Sequence, residues 1–204
     1  MDRNELKWNQ VAEGPYHVIT RARNMLASWK KAQLKSSNSG IDVFAGNQWL
    51  PPPAGTFKIN FDAALLPSVG HGAFGAVISN CHGEFASTSA SSLRGCSSPA
   101  LAEAQALRNV LSWLLLDYSS LQFQVETNCL QVYYAMRSSV QDLSEFGVVI
   151  SECKLLLVQL PNVILAWIRR QANDIAHVLV KSVPSGAYFR TWNIVPAYIA
   201  CFFS

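Results

Sequence analysis

The chain reads as an α/β domain built around a mixed β-sheet. Three early segments alternate apolar and polar residues with period two or sit around a tight-turn sequence, the mark of antiparallel pairing. Two later strand-like segments alternate with helical stretches, the pattern of crossovers in a parallel half-sheet. Half of the 204 residues are hydrophobic and 14% are charged, ample for one large core and incompatible with a disordered chain.

The front of the chain has a different character. Residues 5–36 carry apolar side chains at helical spacing (Leu6, Trp8, Val11, Val18, Ile19, Met25, Leu26, Trp29, Leu34), with a break at Gly14-Pro15. Ser36 to Gly40 is a linker by composition, and Trp49-Leu50-Pro51-Pro52-Pro53 makes a stiff, extended entry. The expected division is a helical extension and linker at 1–48 and a domain at 49–204. The net charge of +3 lies in the first part, with seven basic and four acidic residues, against nine of each in 49–204. Long-range attraction for nucleic acid would come from that extension or from local patches.

Within the domain, Phe57, Ile59 and Phe61 alternate with Lys58, Asn60 and Asp62, which predicts a half-buried strand over 56–63 with Asp62 at its end. Strands over 73–79 and 84–90 flank Asn80-Cys81-His82-Gly83, a hairpin turn. Ser98-Pro99 opens a helix, Ser as N-cap and Pro at the first position, whose apolar stripe includes Ala106, Leu107, Val110 and Leu114. A strand at 121–128 precedes a short helix at 129–137 and a longer one at 144–160, stopped by Pro161. Val163 to Ile168 is apolar throughout, as expected of a strand covered on both faces, and a last helix spans 174–181.

Several function classes drop out. No apolar run approaches the ~20 residues of a membrane-spanning helix, and the first ten residues lack a signal-peptide core. Cys81, Cys96, Cys129, Cys153 and Cys201 form no CxxC pair, so they read as buried thiols of an intracellular protein. Gly70-His71-Gly72-Ala73-Phe74-Gly75 matches GxGxxG, but a strand follows it where a dinucleotide site needs a helix. Two carboxylates remain. Asp62 taken alone is an exposed strand-end acid. Glu103 falls on the apolar stripe of its helix; it is either partly solvated near the helix N-terminus or placed there for chemistry.

An ordered set of segments resembles a known family. Lys58-Ile59-Asn60-Phe61-Asp62-Ala63-Ala64, Gly72 to Ile78 and Ala102-Glu103-Ala104-Gln105-Ala106-Leu107 are similar to RNase H type 1 domains. The subgroup indicated is the plant reverse-transcriptase-like kind at the C-terminus of non-LTR retroelement polyproteins. Glu126-Thr127-Asn128-Cys129, Arg169 to His177, Trp192 to Pro196 and the proline-rich entry extend the match over about 49–200.

The resemblance implies an RNase H-like fold: a five-stranded mixed sheet, three antiparallel strands then two parallel, flanked by helices. It implies hydrolysis of the RNA strand of an RNA–DNA hybrid, with Mg²⁺ or Mn²⁺ held by four carboxylates. The matching positions are Asp62, Glu103, Asn128 and His177, with Asp62, Glu103 and Asn128 as metal ligands. Asn128 and His177 stand where the family pattern has aspartates, although a fourth-position His also occurs in plant members. Weak metal binding and reduced turnover follow. Glu126 and Asp174 are candidate replacements for a missing acid, against the simpler expectation of a solvated strand residue and a first-turn charge. Arg169 and Arg170, with Gln171, are either placed to contact phosphates near the site or an ordinary exposed basic pair. Three readings stay open: a hybrid ribonuclease, a nucleic-acid-binding domain without turnover, and a folded retroelement relic or interaction module whose front helix finds a protein partner. The start of the chain suggests a piece of a longer polyprotein.

Overall fold

The structure is a computed structural model. It describes residues 43–44, 48–66, 71–184 and 187–203, with backbone only at 43–44; the expected front helix and its linker lie outside the described residues. The element order is β1 (Val43–Phe44), β2 (Thr56–Leu66), β3 (His71–Ser79), β4 (Phe85–Arg94), α1 (Pro99–Asp117), β5 (Gln122–Thr127), α2 (Leu130–Arg137), α3 (Glu145–Val158), β6 (Val163–Ile168), α4 (Asp174–Lys181) and β7 (Arg190–Trp192). Short 3₁₀ turns cover Arg170–Asn173 and Ala197–Phe202.

These strands form one sheet in the order β1-β6-β5-β2-β3-β4-β7. The β2-β3-β4 meander is antiparallel, and β2-β5-β6 is parallel, as the crossovers require. The expected count of five becomes seven. The additions are a two-residue edge strand parallel to β6 and a three-residue edge strand antiparallel to β4. Both are too short to show any periodicity, so only their pairing defines them. β1 also lies ahead of the boundary expected at residue 49.

Local signals explain most of the elements. Asn80 closes the β3–β4 hairpin by accepting, through its side chain, from the amides of His82 and Glu84, and Gly83 supplies the positive φ of +80°. Ser98 caps α1 by accepting from the Leu101 amide at 3.2 Å, and Ser144 caps α3 through the Gly147 amide.

One face of the sheet packs under α1, and α3 packs on the outside of α1, with Ile59, Phe61, Phe74, Leu107, Val110, Leu114 and Cys153 in the main core. On the other face α4 and the C-terminal turn cover Val77, where Ile175, Leu179 and Ile199 form a second cluster. Gly75 is what lets α4 approach: a Cβ there would stand 2.7 Å from Leu179 Cγ. The second and third glycines of GxGxxG thus sit inside β3. Among the described residues no helix is long and apolar enough to cross a membrane.

Three details differ from expectation. β2 continues to Leu66, so Asp62 is inside a strand whose polar row is buried. β6 is not covered on both faces: Ile164 is 58% exposed, because α4, the helix on its face of the sheet, packs over β2 and β3 and does not reach β6. Of the cysteines only Cys153 is buried, its thiol pushed up to about 12 chiefly by desolvation.

Candidate functional site

The pairing of β2 with β5 ends at Asn60 opposite Glu126, and β5 itself ends at Thr127. Asp62 therefore lies where β2 has run past its parallel neighbour, at the carboxyl end of the parallel strands. That is the place where open α/β sheets leave room for a ligand. β2 remains paired to β3 at this level, Asp62 opposite Gly75, so the carboxylate is carried on rigid backbone.

Glu103 reaches Asp62 from the second turn of α1, held there by the Ser98 cap and by burial of the residues around it. Both carboxyl groups are buried. Burial pushes the Glu103 pKa well above the usual carboxylate range; the charge of Asp62 and a hydrogen bond shared with it push the same way. The Ala63 amide and the Arg170 charge oppose these effects without cancelling them. Glu103 Oε2 is buried with no hydrogen-bond partner. Two acids in contact, one of them with an unsatisfied oxygen, is an arrangement that folding alone disfavours.

His177 comes from the other side of the sheet, on α4. Its Nδ1 lies 2.7 Å from Asp62 Oδ2, and its Nε2 lies 3.1 Å from the Arg170 guanidinium. A guanidinium can only donate, so Nε2 accepts and the imidazole proton is on Nδ1, donated to Asp62. Asn128 is the first residue after β5. Its backbone carbonyl accepts from the Trp167 indole at 3.3 Å and its Oδ1 accepts from Asn173 at 2.9 Å.

The structure thus gathers Asp62, Glu103 and His177 into one cluster. It joins Asn128 to their neighbourhood through Asn173, which also donates to the Phe61 carbonyl at 2.8 Å. Arg169, Arg170 and Gln171 are exposed just after β6. Asp174 is exposed too, and it lines a cavity of about 140 Å³ with Trp49, Gly83 and Phe203 instead of turning to His177. Among the described residues no group of three or more His, Cys, Asp or Glu is arranged to hold a metal ion.

Sequence reasoning missed a second polar cluster on the same face. Glu126, expected to be solvated, is 2% exposed. Its carboxylate meets Lys58 Nζ at 2.6 Å, Gln124 Nε2 at 2.7 Å and Asn60 Nδ2 at 2.7 Å. Lys58 also donates to the Leu50 carbonyl at 2.6 Å and lies 5.3 Å from the centre of the Trp49 ring. The Trp49 indole donates to Asn60 Oδ1 at 2.8 Å, and Asn60 Nδ2 reaches Asn173 Oδ1 at 3.3 Å. The available signal was the opposite charge of Lys58 and Glu126 on two strands destined to be parallel neighbours.

Comparisons with known proteins agree with this architecture. The model of the reverse transcriptase-like family matches residues 60–183. RNase H1 from the halophilic archaeon Halobacterium salinarum is similar in structure, with a TM-score of 0.55 and 17% identity, covering 62% of this chain and 96% of its own. The N-terminal RNase H domain of a Mycobacterium tuberculosis protein gives 0.53 and 19% identity, with 63% and 92% covered. LC11-RNase H1, solved with an RNA/DNA hybrid, gives 0.51 and 24% identity, with 62% and 95% covered. No curated protein sequence matches the chain. With a family model spanning more than half its length and an RNase H architecture around the Asp62–Glu103 pair, the chain belongs to the reverse transcriptase-like family of RNase H-fold domains.

Proposed function

We propose that this domain binds RNA–DNA hybrids and hydrolyses the RNA strand with a divalent cation, Mg²⁺ or Mn²⁺, at the Asp62–Glu103 pair. The observation that carries the reading is the pair itself: two buried, touching carboxyl groups, one with an oxygen that no protein donor satisfies. Hard cations take anionic oxygen ligands, so the donor set fits, and a cation would relieve both the repulsion and the unsatisfied oxygen. When bound, such an ion supplies an activated water and charge stabilisation at the leaving oxygen.

The chain's own residues have separate tasks. Asp62 and Glu103 hold the cation, with Asn128 and His177 at the third and fourth positions of the site. His177 donates to Asp62 and orients that carboxylate. Arg170, exposed and bonded to His177, brings positive charge to the mouth of the site, where Arg169 and Gln171 are exposed to meet phosphates. The proposed domain is 49–204, with the β1 dipeptide added from the segment before it and the rest of 1–48 as an extension. A second reading, hybrid binding without turnover, is favoured by the amide and the imidazole at positions where carboxylates would strengthen cation binding.

The test is cleavage of a labelled hybrid in Mg²⁺ and in Mn²⁺, run beside Asp62→Asn. Metal-dependent cleavage that falls by at least ~100-fold in the variant supports the enzyme. Binding with no cleavage in either metal supports the second reading, and the absence of both rejects the proposal.

A further inference from the structure

Of the side-chain amides that link Trp49 to Asn128, Asn60 and Asn173 are each oriented by a neighbour able only to give or only to take a hydrogen bond. The Trp49 indole can only donate, so the Asn60 atom 2.8 Å away is the oxygen. Asn60 Nδ2 therefore points the other way, to the Glu126 carboxylate at 2.7 Å and to Asn173 Oδ1 at 3.3 Å. Asn173 is fixed a second time at its other end, because the Phe61 carbonyl 2.8 Å from its Nδ2 can only accept. That same Nδ2 donates to Asn128 at 2.9 Å, and the Asn128 atom that receives it must be Oδ1. The polarity of the chain leaves Asn128 Nδ2 as the outer atom of the amide. Asn128 is half-buried, and this NH₂ has no hydrogen-bond partner among the described residues, nor is it one of the buried unsatisfied atoms, so solvent reaches it.

We propose that Asn128 serves the site as a hydrogen-bond donor to a phosphate oxygen of the bound nucleic acid, not as an oxygen ligand of the cation. This deepens the nucleic-acid reading above and rests on it. A carboxylate at this position would offer acceptors alone, attracting cations and repelling phosphate. The amide, locked with its oxygen inward, offers a donor and removes the negative charge. Arg170, which brings positive charge to the same end of the site, suits the same anionic partner. Asn173 is then a positioning residue that sets which end of Asn128 faces out.

The experiment uses the full chain with two variants and two readouts. The first readout is the affinity for a labelled RNA–DNA hybrid by fluorescence anisotropy in EDTA, where neither metal binding nor cleavage contributes. Asn128→Ala should weaken it about tenfold, the loss of one hydrogen bond to a charged group. Asn128→Asp keeps the acceptor for Asn173 and the shape of the side chain, so it guards against a folding artefact; it should weaken binding at least as much. The second readout is calorimetric titration of the free protein with Mg²⁺, in which Asn128→Ala should keep the wild-type affinity within about twofold, since the amide is not a ligand. Unchanged hybrid affinity in both variants overturns the donor role. A several-fold loss of Mg²⁺ affinity in Asn128→Ala overturns the inward orientation of the oxygen, whatever happens with the hybrid. Wild-type protein that binds no hybrid in EDTA would reject the nucleic-acid reading and the donor role together, while the Mg²⁺ titration would still decide the orientation.

Discussion

Lys58, Asn60 and Asp62 stand in a row on one face of β2, and the two ends of that row have opposite character. At the Lys58 end a cation, a carboxylate and two amides meet in a dry setting where each oxygen of Glu126 has a partner at 2.7 Å or less. At the Asp62 end two acids touch, and one oxygen has no partner at all. The first cluster is satisfied by protein groups; the second leaves one buried carboxyl oxygen without a hydrogen-bond partner. Burial is nearly equal at the two ends, so burial does not mark the site. The buried carboxyl oxygen without a partner is what sets the proposed site apart.

The largest effect should come from unbalancing the satisfied end. Lys58→Met leaves Glu126 as a buried charge without its counter-ion and should destabilise the domain by roughly 3–5 kcal/mol. Adding Glu126→Gln should recover a large part of this, because the stranded charge is then gone. Urea denaturation of the three proteins measures both effects. If Lys58→Met alone is nearly neutral, the cluster is wetter than its 2% exposed Glu126 indicates.

The unsatisfied end should respond with the opposite sign. Folding favours the protonated form of Glu103, since its pKa is raised in the folded state. Above the ordinary Glu range the unfolded chain has released a proton that the folded chain still holds. Stability should therefore fall as pH rises through the window between the ordinary and the raised value. Glu103→Gln removes that decline and should stabilise the metal-free protein at neutral pH by about 1 kcal/mol. Denaturation midpoints measured from acid to neutral pH give the test; parallel profiles for wild type and variant would contradict it.

The smallest effect concerns the link between the ends. Trp49→Phe keeps most of the ring that faces Lys58 but deletes the donor to Asn60, and should lower stability by about 0.5–1.5 kcal/mol. It also releases the constraint that begins the ordered set of amides, so side-chain amide signals of Asn60 and Asn173 should shift in ¹⁵N–¹H spectra. Unmoved signals would mean that Glu126 and the Phe61 carbonyl suffice to set both amides.

What the amino-acid order determined by itself was everything carried by contacts close in sequence. The Ser98-Pro99 cap started α1 where expected, Asn80 to Gly83 closed the hairpin, and α4 spans the residues foreseen. Glu103 stood out because an acid on an apolar helical stripe conflicts with its own neighbours. The motif order pointed to the RNase H fold for the same reason, since each segment keeps its local pattern. Tertiary structure alone decided the rest. Whether Lys58 and Glu126 face water depends on α4 and its preceding turn, more than 40 residues beyond Glu126, closing over β2. The edge strands β1 and β7 exist only through their partners, being too short to carry a period of their own. Asn128 reads as a weakened ligand in the sequence, yet which end of its amide faces out is set by a donor 45 residues away. Local pattern specifies what a residue is and which way its element runs; long-range packing specifies what it touches, and in this site the chemistry is in the touching.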